Sequence, residues 1–413
     1  MYVNGRSIVT AGLVAALALG QTCPAFALEE AIAAATASSG ATTEVEELVV
    51  EEGQDSSADG TTDDPAIADV ETVSEDRTDT AAEDAEDADD AEETTEESTS
   101  GETEADELRA QSDDATTTTL TFADEGITAA GPATGYKIDG TALTINAAGT
   151  YVIGGSCAEG SIKVKKETCG VTLVLRDLTL ASTTTAPLSC NKSTQVVLDV
   201  EGAVTLTDLE DAASEDANDD FEGAAIKVKS GGSLEITGSG SLVADGSSCK
   251  NAIKGGATST ITLAGASVTT KAANNGIAAD GTLNVTGGSI DITAGNDGLK
   301  SEPDEDDTES AGIINISGGA LNIVSGGDAV QATNDLTVTG GTISAVTFGG
   351  ANNNKALGDD SAKGLKSTGD ITIAGGVIDL NTADDSIHCG QVFTMDGGDV
   401  TILAGDDAVH ADD

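Results

Sequence analysis

Large aromatic side chains are almost missing from this chain of 413 residues, which contains no Trp, 3 Tyr and 5 Phe. Hydrophobic residues nevertheless make up 38% of the sequence, so the interior must be built mainly from Ile, Val, Leu and Ala. Apolar residues at helical spacing are also missing from the C-terminal half. Both absences indicate a narrow, repetitive core of stacked aliphatic side chains.

Positive charge is scarce, since 18 Lys and Arg stand against 73 Asp and Glu, which gives a formal net charge of −55. This charge argues against nucleic acid and anionic membranes as partners. Much of it lies in residues 28–118, which are rich in Asp, Glu, Ala, Thr and Ser and almost free of bulky apolar residues. We expect this segment to be a disordered acidic linker.

Histidine is also scarce, and the cysteines lack the spacing that is typical of metal sites. The chain has 2 His, and none of its 6 Cys stand in a Cys-x-x-Cys pair, so the spacing argues against a structural zinc site. Cys157, Cys169 and Cys190 could supply one disulfide, whose pairing the sequence leaves open. A Ser-His-Asp nucleophile signature is missing as well.

Residues 1–27 have the features of a secretory signal peptide. Arg6 supplies the positive charge, residues 8–19 the apolar stretch, and Ala25-Phe26-Ala27 the cleavage site. The apolar stretch is too short to span a membrane, so the sequence predicts no transmembrane segment. We expect a secreted protein whose linker holds the folded part away from a cell envelope.

The C-terminal half contains a repeat that is visible in two independent markers. One is a small Asn/Asp-rich motif that ends in an aliphatic anchor, with spacings of 22, 31, 35, 22 and 22 residues. The other is a Gly-Gly pair, with spacings of 31, 22, 35 and 22 residues. The anchors are Ile277, Leu299, Val330, Leu365, Ile387 and Val409, and the pairs begin at Gly287, Gly318, Gly340, Gly375 and Gly397. Without two insertions, around residues 302–310 and 349–363, the period is about 22 residues, which is typical of solenoids.

Each repeat consists of short runs in which aliphatic and small polar residues alternate, as in residues 336–343 (LTVTGGTI). Such alternation predicts half-buried strands, and a Gly-Gly pair suits a sharp turn between them. We therefore predict an all-β fold, a right-handed parallel β-helix of about 22 residues per coil. Residues 119–222 would form entry and capping coils and residues 223–413 regular coils. Because the sequence stops within a repeat motif, we expect it to be truncated at the C-terminus.

The Asn/Asp motifs are the first candidate site. Residues one period apart lie about 4.8 Å apart in neighbouring coils, where stacked carboxylates repel each other unless a cation neutralises them. Calcium, which takes six to eight oxygen ligands, is the cation that fits best. The predicted calcium ligands are Asp297, Asp328, Asp384, Asp385, Asp406 and Asp407. The alternative is that these side chains only bond to the backbone of their own turns.

The residues directly after the anchors are the second candidate site, because they must point outward where the anchors point inward. The predicted ligand-binding residues are Lys254, Lys300, Gln331, Lys366, His388 and His410, with Lys363 on the same face. Their spacing could match the carboxylates of an extended uronic-acid chain. The alternative is a solvated ladder that only offsets the local Asp charge.

Calcium and a lysine could also catalyse β-elimination on a polyuronate. Calcium would acidify the proton next to the carboxylate, and Lys300 or Lys366 would be the base that removes it. An inverting hydrolase would need paired carboxylates, for which this Asp-rich sequence gives no decisive indication. A structural adhesin stalk, in which the cationic residues have no ligand, is a third hypothesis.

Several of these motifs together resemble a known family. They are residues 326–332 (GGDAVQA), 360–367 (DSAKGLKS), 383–388 (ADDSIH) and 405–412 (GDDAVHAD). The family consists of bacterial carbohydrate-binding parallel β-helix proteins, formerly catalogued as a domain of unknown function, and the resemblance covers residues 120–413. Its members are secreted, bind calcium and are similar in fold to the family 9 pectate lyases.

The resemblance implies binding of acidic plant polysaccharide such as polygalacturonate, and of cellulose, with calcium at the Asp-Asp turns. It favours binding over catalysis. The sequence therefore predicts a secreted, calcium-dependent carbohydrate-binding protein, with a pectate-lyase-like enzyme as the alternative.

Overall fold

The computed structural model describes residues 117–217, 221–303, 311–358 and 360–412. The predicted signal peptide and nearly all of the predicted acidic linker lie outside these residues. Within them, no helix is both long and apolar enough to cross a membrane. The predicted division of the folded part between residues 222 and 223 stays a prediction.

Short strands account for most of the described chain, because the period-2 alternation extends through nearly every repeat. The first strands are β1 (Thr118–Ala123), β2 (Gly126–Ala130), β3 (Tyr136–Asp139), β4 (Ala142–Ile145), β5 (Gly149–Cys157), β6 (Ser161–Val164), β7 (Val171–Ser182), β8 (Leu188–Cys190), β9 (Gln195–Asp208) and β10 (Ala224–Val228). They are followed by β11 (Ser233–Gly238), β12 (Ser241–Gly246), β13 (Asn251–Gly255), β14 (Thr260–Leu263), β15 (Ser267–Ala272), β16 (Ile277–Ala279), β17 (Thr282–Val285), β18 (Ser289–Ala294), β19 (Leu299–Ser301) and β20 (Ile313–Ile316).

The remaining strands are β21 (Ala320–Ser325), β22 (Val330–Ala332), β23 (Leu336–Val338), β24 (Thr342–Thr347), β25 (Leu365–Ser367), β26 (Ile371–Thr382), β27 (Ile387–Cys389), β28 (Phe393–Ala404) and β29 (Val409–Ala411). Three short helices interrupt them. They are the 3₁₀ helices Ala212–Ala217 and Ala351–Asn353, and α1 (Asn354–Leu357). The last two lie in the insertion that the sequence placed at residues 349–363.

Twelve strands form a smaller sheet in the order β29-β27-β25-β22-β19-β16-β13-β10-β8-β6-β4-β3. Its pairs are parallel except for β3 and β4, which are antiparallel. The aliphatic anchors pair directly with one another along this sheet, for example Leu299 with Val330 and Leu365 with Ile387. The predicted stacking of residues one repeat apart is therefore confirmed.

The larger sheet has seventeen strands, and its pairing corrects the predicted fold class. Twelve of its strands pair in parallel in a closed ring, in the order β9-β11-β14-β17-β20-β23-β26-β24-β21-β18-β15-β12 and back to β9. By its pairing this ring is a closed parallel β-barrel. The prediction of an open right-handed parallel β-helix is therefore wrong.

The ring closes because β9 and β26 are long strands that each pair with two shorter ones. The first half of β26 pairs with β23 and the second half with β24, and β9 joins β11 and β12 in the same way. From the sequence we predicted a sharp turn at every Gly-Gly pair. In β26 and β28, however, the pairs at Gly375 and Gly397 lie inside a continuous strand.

The core is aliphatic, as the lack of aromatic residues predicted. In β18, Ile290 and Ile292 point inward and are 1% and 2% exposed, while their neighbours in the strand are exposed. Phe122 and Tyr151 are the large rings that enter the core. Cys169 is disulfide-bonded whereas Cys157 and Cys190 are free, buried thiols, so no disulfide joins two of these three residues.

The second glycine of each Gly-Gly pair has a left-handed backbone, and Gly341 (φ +86°) is an example. A Cβ atom there would lie 2.8 Å from the carbonyl oxygen of Gly318 and 2.9 Å from that of Gly319. We expect Gly341→Ala to lower the free energy of unfolding by about 2–3 kcal/mol, since backbone strain and a steric clash add. Urea denaturation measures this loss.

Gly140→Ala is the matched control, because Gly140 also has a positive φ (+59°) but nothing lies within 4 Å of an added Cβ. This substitution should lower the free energy of unfolding only by the cost of a left-handed backbone, about 1 kcal/mol. Equal losses for the two variants would mean that close packing between repeats does not determine the need for glycine.

Candidate functional site

The residues that follow the anchors form a continuous row on the twelve-stranded sheet, which we call the cation file. Neighbouring strands pair Lys254 with Ala278, Ala278 with Lys300, and Lys300 with Gln331. The row continues through Lys366, His388 and His410. Ala278 is buried and interrupts the row, whereas the long side chains on either side are partly exposed. The structure therefore brings the predicted row together on one face.

A ladder of Asn and Asp side chains runs beside the cation file. In each case a side-chain oxygen accepts a hydrogen bond from the backbone N–H of the equivalent residue one repeat later. Written as backbone N–H donor to side-chain Oδ1 acceptor, the bonds are Asn275 to Asn251 (3.2 Å), Asp297 to Asn275 (3.1 Å), Asp328 to Asp297 (2.9 Å), Lys363 to Asp328 (2.7 Å) and Asp407 to Asp385 (3.1 Å). These side chains therefore bond to the backbone of the next repeat, and not to that of their own turns as the alternative supposed.

The second oxygen of each ladder carboxylate faces the cation file. Asp328 Oδ2 lies 2.9 Å from Lys366 Nζ, and Asp297 Oδ2 lies 3.6 Å from Lys300 Nζ. Asp385 Oδ2 lies 3.1 Å from His388 Nδ1. The buried carboxylates thus hold Lys300, Lys366 and His388 in place, and with the two lysines they form the ion pairs expected for carboxylates out of contact with water.

The pKa values of two buried carboxylates in this network are shifted in opposite directions. Burial, together with the neighbouring charge of Asp328, raises the pKa of Asp297. Burial also opposes ionisation of Asp385, but hydrogen bonds from His388 and from the amide of Asp407 hold its pKa below the usual value. Asp385 is therefore the more stable anion of the two.

The six predicted calcium ligands do not form a single site. Asp297 and Asp328 belong to one part of the ladder, while Asp384, Asp385 and Asp406 bring carboxylate oxygens within 4.8 Å of one another elsewhere. Asp407 is mostly exposed and lies 3.6 Å from His410.

Lys363 already supplies a cation at the Asp384 cluster, with Nζ 2.6 Å from Asp384 Oδ2 and 3.2 Å from Asp385 Oδ2. Burial opposes the charged form of this lysine, but the two carboxylates raise its pKa overall. The sequence placed Lys363 on the ligand-binding face, and the structure makes it the counter-ion of two predicted metal ligands.

A depression of about 470 Å³ lies over the middle of the cation file. The insertion after β24 forms one wall through Phe348 and Ser361. Ser361 donates a hydrogen bond of 2.7 Å to Asp328 and lies 3.3 Å from Lys366 Nζ. The other side chains that line it include Asn296, Asp297, Lys300, Asp328, Gln331 and Lys366. Donors and acceptors alternate here beside one aromatic ring, within the size range of ligand sites.

The two lysines named as bases of a lyase are both ion-paired. Lys300 Nζ lies 2.6 Å from Glu302, and although burial acts against the charge, Glu302 and Asp297 raise its pKa. Lys366 is held by Asp328. A general base needs a lowered pKa near the working pH, which is opposite to the direction found for Lys300.

Lys227 belongs to the cation file and was missed in the sequence. It pairs with Lys254 on the next strand, whose own ammonium group lies 2.6 Å from Asp280. Burial, with the charge of Lys254 as a further cause, lowers the pKa of Lys227. The signal was available, because the triplet Ala-Ile-Lys occurs at residues 225–227 and again at 252–254.

Comparison with known proteins identifies the family. The carbohydrate-binding domain-containing proteins match residues 139–408, more than half of the sequence, so the chain belongs to this family. A solved structure, the polysaccharide lyase-like protein from C. thermocellum (gadolinium derivative), has a TM-score of 0.52 at 23% identity. The match covers 68% of this chain and 99% of that one, and at this identity it shows the fold alone. No curated protein matches significantly.

Proposed function

We propose that this protein binds acidic polysaccharide of the polygalacturonate type along the cation file, with calcium as a cofactor. The observation that carries the proposal is the depression in which Lys300 and Lys366 flank Gln331 on neighbouring strands. Neighbouring strands lie about 4.8 Å apart, and the two lysines are separated by two such steps. Their ammonium groups can therefore contact separate residues of an extended sugar chain. Membership of a carbohydrate-binding family supports the same assignment.

The lining of the depression suits a uronic acid better than a neutral sugar alone. The lysines offer charge-assisted hydrogen bonds to carboxylates, while Asn296, Gln331 and Ser361 can serve hydroxyl groups. Phe348 offers an apolar surface to a sugar ring. Cellulosic chains, which lack the carboxylates, would use only the neutral groups and should bind more weakly.

The calcium part of the proposal rests on Asp384, Asp385 and Asp406. Their clustered oxygens are the ligand type that calcium prefers, and a bound polyuronate could supply further oxygens. Calcium at this position would replace the ammonium group of Lys363 as the counter-ion.

A polyuronate lyase is the second hypothesis, and kinship with family 9 pectate lyases stays a prediction. The raised pKa of Lys300 and the ion pair of Lys366 count against either residue as a base. We also propose that the protein acts outside the cell or at its surface, where such polymers occur. A purely structural stalk would bind none of them.

Binding to polygalacturonate in calcium and then in excess chelator tests the proposal, with the ultraviolet absorbance of unsaturated uronate followed in parallel. We expect retention in calcium, release by chelator and no new absorbance. Rising absorbance would establish the lyase instead. Failure to bind in either condition would refute the polyuronate assignment.

Lys363→Met should strengthen calcium binding, because it removes the competing ammonium group from Asp384 and Asp385. We expect an increase in affinity of about tenfold, equivalent to roughly 1.4 kcal/mol. Titration calorimetry with calcium measures it, and Lys355→Met, at an exposed lysine of α1, is the control. Unchanged affinity in Lys363→Met would place the calcium elsewhere.

A further inference from the structure

A second cluster of buried titratable groups consists of residues that are not part of the cation file. It consists of Asp208 at the end of β9, Glu210 just after it, and Cys249 between β12 and β13. Asp208 is 0% exposed, Glu210 1% and Cys249 4%. One carboxylate oxygen from each acid and the thiol sulfur all lie within 4.8 Å of one another.

Asp208 carries an unsatisfied oxygen that points to a missing ligand. Its Oδ1 accepts the backbone N–H of Glu210 at 2.9 Å, whereas its buried Oδ2 has no well-formed hydrogen bond, and the uncharged thiol of Cys249 is the side chain that interacts with this carboxylate. Within the described part of the chain, neither Asp208 nor Glu210 makes an ion pair. Leaving a carboxylate buried and unpaired costs several kcal/mol, so a proton or a cation must neutralise it.

Glu210 is held rigidly, as an outer shell of hydrogen bonds holds a metal-binding carboxylate. The backbone amides of Glu222 and Gly223 donate to it at 3.1 Å and 3.0 Å. Glu222, the third acid nearby, is already balanced by Lys229 at 3.0 Å. In the absence of a cation, burial raises the pKa of Glu210 to about 7.

We propose that Asp208, Glu210 and Cys249 form a binding site for a divalent cation of the zinc type. Zinc accepts both carboxylate oxygen and thiolate sulfur, whereas calcium and magnesium take oxygen ligands. Ligand atoms in a tetrahedral zinc site lie about 3–4 Å apart, so a small inward movement would give these three atoms that spacing and leave the fourth position for water.

The lack of Cys-x-x-Cys pairs argues against a structural zinc site built from such pairs, but this site uses two acids and a single cysteine. Its two acids and its thiol are separated by about forty residues and are brought together by pairing of β9 with β12. The site is independent of polysaccharide binding, because none of its residues belongs to the cation file or the Asn/Asp ladder.

Titration of the full chain with cobalt(II) as a zinc substitute tests the proposal. Cobalt bound by a thiolate gives a sulfur-to-metal charge-transfer band in the near ultraviolet. We expect this band at one equivalent per chain, its loss in Cys249→Ser and its retention in Cys389→Ser, which alters another buried free thiol. Because the band requires sulfur, binding at His388 and His410 cannot imitate it. A band that survives Cys249→Ser, or no band at all, overturns the proposal.

Asp208→Asn provides a second test that does not depend on removing the cysteine. It should weaken zinc binding by more than about 100-fold, since loss of even outer-shell partners costs 10–100-fold. In chelator the amide should raise the melting temperature, because it replaces a buried carboxylate that must take up a proton when no cation is bound. In zinc the variant should melt below the wild type. A lower melting temperature in both conditions, or stabilisation of the wild type by calcium but not zinc, contradicts the proposal.

Discussion

Asp328→Ala is expected to lower the free energy of unfolding by about 3 kcal/mol, the largest loss from a single polar side chain in the site. Asp328 is 1% exposed and accepts from the amide of Lys363 and the hydroxyl of Ser361, both at 2.7 Å. Its other oxygen lies 2.9 Å from Lys366 Nζ. The substitution leaves these three donors without their acceptor, and urea denaturation at neutral pH measures the cost.

Two further variants show where that cost arises. Asp328→Asn keeps an acceptor for the backbone but removes the charge that Lys366 needs, so it should lose about half as much. Asp379→Ala removes a carboxylate from an exposed position of β26 and should have little effect. If Asp328→Ala were no more harmful than Asp379→Ala, the Asn/Asp ladder would not stabilise the stack of repeats.

Replacing Lys300 and Lys366 together by Gln should lower the affinity for polygalacturonate by about 100-fold. Each substitution would remove one charge-assisted contact worth at least about 1.4 kcal/mol, which is a tenfold change in affinity. The two free energies add, so the two tenfold changes multiply. Gln removes the charge but keeps two of the four methylenes and a hydrogen-bond donor. Binding to the immobilised polymer over a range of protein concentrations gives the two affinities.

Lys165→Gln with Lys166→Gln is the matched control, because it removes the same charge from two exposed lysines outside the depression. It should change the affinity less than threefold. Similar losses in both double variants would mean that only net charge matters. The melting temperature of each variant must be measured alongside, because Lys366 also balances Asp328.

The period in the sequence predicted which residues become neighbours, but not how the strands close. The anchors and the residues after them pair as the spacing required, because one inserted residue would reverse their inward and outward faces. The sequence could not show that β26 passes through Gly375 and Gly376 without a turn. Glycine permits a turn and does not impose one, so the closed ring of strands was missed.

The side chains of the site were predicted better than their partners. Lys300 and Lys366 lie on the predicted face, yet their pairing with Asp297 and Asp328 depends on distances between repeats that spacing alone does not give. The position of Lys363 between Asp384 and Asp385 depends on the path of the insertion before it. The Asp208, Glu210 and Cys249 cluster has no local pattern, since its members approach only after the strands have paired.

The position of the bound polysaccharide tests the central claim most directly. The protein is acetylated at lysine with and without oligogalacturonate in calcium, and the modified peptides are quantified by mass spectrometry. We expect oligogalacturonate to protect Lys300 and Lys366 and to leave Lys165, Lys166 and Lys355 unchanged. If the oligosaccharide binds while Lys300 and Lys366 react as fast as in its absence, the cation file is not the binding face.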